Sequence, residues 1–135
     1  MSLPFDDIVL YRAMTADSDE LPMIGPTART LGVRPSIDIA VDTSGWVDPG
    51  SGGMSVAPRD PMHLPRHRRP PEIGGTGKDP IWSIRVSDLS QSLVFRPDPF
   101  SPAVHGFVEP AVRMIFEEFQ SALADSRMLW QRHHH

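Results

Sequence analysis

Hydrophobic positions along the chain fall into short bursts separated by long polar stretches rich in proline and glycine, and one burst repeats at helical spacing. Ile8-Val9-Leu10-Tyr11-Arg12-Ala13-Met14 is dense in branched and aromatic residues and predicts a strand. Ser36-Ile37-Asp38-Ile39-Ala40-Val41-Asp42 alternates polar and apolar. That pattern predicts a half-buried strand with the odd positions inward and Asp38 and Asp42 in water. Met54–Ala57, closed by Pro58, predicts a third strand, and Ile81–Val86 and Leu93–Arg96 predict two more. Pro97 and Pro99 end the last of these, because proline cannot donate to the ladder. His105-Gly106-Phe107-Val108 opens a late β segment, which Val112-Arg113-Met114 continues past Pro110.

The helical burst runs from about Ile115 to Gln131, with Phe116, Phe119, Leu123 and Trp130 recurring on one face. Glu117 and Glu118 stand in its first turn and Arg127 and Arg132 near its end, as a helix dipole favours. The segments between bursts read as connections: residues 15–35, a turn region around Trp46 at 43–53, and a loop at 58–80. The resulting class is α+β, a small sheet with one C-terminal amphipathic helix, in a single domain over 1–132. His133, His134 and His135 read as the remnant of a purification tag.

Composition narrows this picture. The 135 residues suit one modest core, and 15 prolines with 10 glycines favour a loop-rich β body over a helical bundle. With no cysteine, disulfides and thiolate metal sites are excluded. No apolar run reaches membrane-spanning length and no signal peptide is visible, so a cytoplasmic location is the default expectation. Export by a route that needs no cleaved signal stays open. The net charge of −4 hides an asymmetry, since four arginines and two histidines crowd into residues 59–69 beside one acid. The acidic remainder gives no reason to expect general nucleic-acid binding.

Candidate chemistry is sparse. Arg12 sits inside an apolar strand, where a buried guanidinium needs an anionic partner such as a ligand phosphate. It equally suits the solvent face of an edge strand. Ser55 follows Gly52-Gly53-Met54, so close backbone approach to a ligand and a hydroxyl contact are possible there, as is a plain turn into a strand. His105 suits a ribose contact or a proton carrier, with Glu109 four residues on as an acid that stabilises positive charge; a structural histidine is the alternative. His63-Leu64-Pro65-Arg66-His67-Arg68-Arg69 suits phosphate, RNA or an acidic partner, or an exposed loop with structural arginines. Two histidines with no third ligand do not make a metal set. Gly74-Gly75-Thr76-Gly77-Lys78-Asp79 lacks the first glycine and the final Ser or Thr of a phosphate loop, and reads as a turn.

Four segments together carry a resemblance. Leu10-Tyr11-Arg12-Ala13, then Gly52-Gly53-Met54-Ser55-Val56, then His105 before an apolar strand and Pro110, then a helix ending near Trp130, resemble in order and rough spacing the Tse-two toxin family. These toxins are effectors of the bacterial type VI secretion system, and their fold is similar to that of ADP-ribosyltransferases. The resemblance covers about a third of the chain. It implies a small, twisted, split β-sheet of the ADP-ribosyltransferase-like type with a cleft for NAD. It also implies a cytosolic toxin, an immunity (antitoxin) partner and a macromolecular acceptor of unspecified kind. On the same ground Tyr11, Arg12, Gly53, Ser55 and His105 would bind NAD, and Arg12, Ser55, His105 and Glu109 would carry catalysis. Two other functions stay open: a non-catalytic nucleotide- or partner-binding module, and an RNA-binding protein using the 63–69 loop.

Overall fold

The computed structural model describes residues 5–134. Its strands are β1 (Val9–Ala13), β2 (Trp46–Val47), β3 (Met54–Pro58), β4 (Ile81–Arg85), β5 (Leu93–Pro97), β6 (Gly106–Pro110), β7 (Met114–Ile115) and β8 (Gln131–Arg132). One α-helix, α1, spans Phe116–Asp125. Six strands form one antiparallel sheet in the order β5-β6-β3-β1-β4-β8, and β2 pairs with β7 in a separate ribbon. The expected α+β class holds: an antiparallel sheet with a C-terminal helix against it.

The sheet is not uniform across its middle. Strand β3 pairs with β6 through Met54, Ser55 and Val56, and with β1 only through Ala57 and Pro58. It therefore passes from one neighbour to the other along its own length. Beyond Tyr11 and Ala57 the ladder between β1 and β3 stops, and the two strands leave a split in the sheet. On the other side β1 pairs with β4 over all five residues from Val9 to Ala13.

Leu10, Met14, Val56, Trp82, Ile84, Phe95 and Val108 supply the sheet's main core face, and Phe119, Leu123 and Trp130 cover it. Leu31, Val33, Ile39 and Val47 from the connections complete that core. Ala57, Leu64 and Ile81 form a smaller cluster with Tyr11 and Ile73 around them. The 58–80 loop is thus folded into three short 3-10 turns, and Leu64 anchors it. Among the described residues, no helix is long and apolar enough to cross a membrane.

Three sequence expectations change. Val112-Arg113-Met114 does not continue β6, which ends at Pro110; Met114 opens β7, paired with β2 instead. Ser36–Asp42 alternates but forms no strand. Arg34 and Asp38 close a turn instead: the Asp38 carboxylate accepts the Arg34 backbone N–H at 2.7 Å and its guanidinium at 2.9 and 3.1 Å. Ile37 is left 71% exposed while Ile39 is buried, held by bridges to Pro35 and Gly52. A local side-chain bond has outcompeted the ladder. The helix also stops early. The Ser126 hydroxyl donates to the Leu123 carbonyl at 2.6 Å and accepts from the Trp130 indole N–H at 3.0 Å. The chain then turns through Arg127–Leu129 so that β8 can pair with β4. Trp130 reaches the core by this turn rather than along a helix face, and Phe116 is only half-buried.

Candidate functional site

Arg12 stands where the β1–β3 ladder fails. Its next ladder partner would lie in β3, but the guanidinium takes that role: Nη1 donates to the Ser55 carbonyl at 2.8 Å. Nε and Nη2 donate to the Thr30 carbonyl at 3.2 and 2.8 Å, and Nη2 also reaches the Thr27 carbonyl at 3.3 Å. Arg12 therefore ties the 15–35 connection to β3 across the split. Burial pulls its pKa down to about 10, against a pull upward from Asp38, so it stays cationic at neutral pH. No carboxylate forms an ion pair with it among the described residues.

A cavity of about 410 Å³ opens beside this bridge, within the ~300–1,000 Å³ of small-molecule sites. Arg12, Ser55 and His105, far apart in sequence, all line it. Arg34, Asp38 and Asp98 line it too, and His63, His67 and Arg68 of the basic loop form another part of its wall. Ala13, Ala28, Val56, Ala57 and Leu64 give it an apolar lining. Ser55 is exposed on the polar side of β3, between buried Met54 and Val56.

The charges do not cancel. Asp38 is already paired with Arg34, and Asp98 with His105 at 2.8 Å. Burial alone would raise the Asp38 carboxyl, but the bonds from Arg34 outweigh it and hold the group below its usual range. The His105 bond does the same for Asp98, helped by the Phe100 backbone N–H. Arg12 and Arg68 remain without an ion-pair partner among the described residues. The cavity thus presents an excess of positive charge with an apolar lining, an arrangement that attracts anions carrying a ring.

Two histidines are fixed in orientation. His63 Nδ1 lies 2.8 Å from the Pro58 carbonyl, which can only accept, so the proton sits on Nδ1. His105 Nδ1 meets the Asp98 carboxylate, and its ring packs edge-on against Phe107 at 4.8 Å. In both rings Nε2 is the nitrogen left for another partner.

Three expected site residues do not line this cavity. The Glu109 carboxylate is buried against Arg96, accepting from its Nε at 2.7 Å, and from the Gly50 backbone N–H at 3.1 Å. It serves the strand pair and the glycine turn. Tyr11 points to the smaller cluster and meets the His133 ring edge-on at 5.4 Å. Gly53 is pressed against backbone: a Cβ there would lie 2.4 Å from the Val108 carbonyl oxygen. Gly52, at φ +121°, would meet the Asp38 carbonyl at 2.2 Å. The glycine pair lets protein backbone, not a ligand, come close. Arg69 also lies outside the cavity, and its backbone instead seats Gly75 and Gly77.

The sequence flagged the basic loop without showing which of its members turn inward. Arg34, Asp98 and Ser101 escaped notice, and Asp38, expected in water, is half-buried in the cavity wall; only the four-residue spacing of Arg34 and Asp38 hinted at a pair. The chain matches no protein-family model, no curated protein and no solved structure at a significant level.

Proposed function

We propose that the protein is an NAD-dependent ADP-ribosyltransferase-like toxin, or an NAD-consuming effector, acting in the cytosol and built on a split sheet of the ADP-ribosyltransferase-like type. One observation carries the reading: Arg12, Ser55 and His105 line a single cavity at the break in the sheet. The uncompensated charge of Arg12 and Arg68 suits a pyrophosphate, and the apolar lining suits a nicotinamide or adenine ring. In this role Ser55 bonds a ribose hydroxyl or the carboxamide, and Arg68 holds phosphate. When bound, NAD supplies a ribose–nicotinamide bond that breaks with positive charge building on the sugar. The reading brings with it a type VI secretion route, an immunity partner and a macromolecular acceptor, or water in its place.

A second reading is favoured by a specific observation. Both carboxylates lining the cavity are paired, and Glu109 is held by Arg96, so among the described residues no unpaired acid faces the ligand. A module that binds a nucleotide without cleaving it has this arrangement. Nicotinamide release from NAD separates the two. Release by wild type, reduced by Ser55→Ala and Arg68→Ala at unchanged thermal stability, supports the transferase. Saturable NAD binding with no release supports the module, and absence of binding removes both.

A further inference from the structure

We infer that Asp98 is a positioning residue that fixes His105 as the base taking the proton of the acceptor hydroxyl or water, a role that rests on the NAD reading above. Strands β5 and β6 end their ladder at Pro97 and Gly106. Just beyond, the Asp98 backbone N–H donates to the His105 carbonyl at 3.0 Å, so the two residues face each other across the open end of the hairpin. The loop between them is itself ordered: Ser101 donates to the Asp98 carbonyl and His105 to the Ser101 carbonyl. Asp98 Oδ1 accepts the Phe100 N–H at 2.9 Å, which leaves Oδ2 aimed at His105 Nδ1 at 2.8 Å. Phe107, itself beneath the Arg96 guanidinium, supports the imidazole ring.

The chemistry follows from that geometry. A carboxylate only accepts, so the neutral ring carries its proton on Nδ1 and presents a bare Nε2 lone pair. Both residues line the cavity. The acceptor's oxygen forms a bond to the ribose carbon, and the ribose–nicotinamide bond breaks with its electron pair passing to the ring nitrogen. The acceptor's proton passes to His105 Nε2. Asp98 then stabilises the imidazolium, which returns the proton to solvent. Glu109, expected from the sequence to stabilise positive charge, lies against Arg96 instead, and the proton is taken at the other end of β6.

Two variants and one spectrum test this. Asp98→Asn keeps an acceptor for the Phe100 N–H but removes the charge. His105→Asn keeps a donor toward Asp98 but removes Nε2. Each is expected to lower kcat for nicotinamide release about 100-fold or more, a larger loss than any change it makes in the Kd for NAD. In the ¹⁵N spectrum of the neutral wild-type ring, Nδ1 is expected to carry the proton. That preference should be lost in Asp98→Asn, a change that a purely structural role for the pair would not link to kcat. Wild-type turnover matched by Asp98→Asn, or a wild-type ring protonated at Nε2, overturns the base role and leaves the NAD reading intact. No turnover in wild type overturns the transferase reading and the base role together.

Discussion

Arg12 shows how one side chain can be structural and still shape a site. Its guanidinium spans three carbonyls, from Thr27, Thr30 and Ser55, in a place where the backbone ladder has stopped. Truncation would strand the buried Thr30 carbonyl and leave the part-buried Thr27 and Ser55 carbonyls unmet, so Arg12→Ala is expected to cost about 3 kcal/mol in a denaturant melt. Arg12→Lys keeps a charge but not the fork, and should recover part of that loss. Stability unchanged in Arg12→Ala would mean that the split closes without it. Asp79 gives a second residue-scale test. Arg29 holds it in a two-bond pair at 2.7 Å each, and Thr15 adds a third contact. The Arg29 bond lowers the Asp79 carboxyl below its ordinary value of 3.8. A carboxyl lowered in the fold stabilises it fully above that ordinary value and loses the contribution as pH falls through the folded value. The melting temperature of wild type should therefore exceed that of Asp79→Asn at pH 7, and the gap should close in acid. A gap that persists at low pH would show that the pair contributes no charge-dependent stability.

At the scale of elements, strands with a neighbour of matching period were legible and locally bonded segments were not. Residues 9–13, 54–58, 81–85 and 93–97 are short, branched and bounded by turns or prolines, and each became a strand. Ser36–Asp42 has the same alternation, yet the Arg34–Asp38 pair holds it in a turn. The helix face was readable from Phe119 and Leu123, but its end depends on the Ser126 hydroxyl, whose pull on Leu123 and Trp130 no spacing rule reveals. The Asp98–His105 pair was hidden for a different reason: the two residues meet only once the β5–β6 hairpin closes. Arg12, Ser55 and His105 were visible because each interrupts or opens an apolar run. Glu109 was visible on the same ground and turned out to face Arg96. The helix's grip on the sheet is measurable: Phe119 is fully buried, and Phe119→Ala is expected to cost about 3–5 kcal/mol. A loss under about 1 kcal/mol would mean that the helix packs loosely there.

For the whole molecule, the acidic total charge and the basic cavity are separate facts. A chain of net charge −4 gathers Arg12, Arg34 and Arg68 with three histidines around one opening, and pairs both nearby acids. Such a site attracts an anion through a local field that the net charge conceals, and salt weakens that attraction. Isothermal titration of wild type and Arg68→Ala with NAD, at low and high salt, shows whether the cavity holds the dinucleotide through that field. Wild type is expected to show saturable one-site binding, weaker at high salt, with a further loss in Arg68→Ala that is greatest at low salt. No binding to wild type at low salt, or identical binding by Arg68→Ala at both salts, would contradict it.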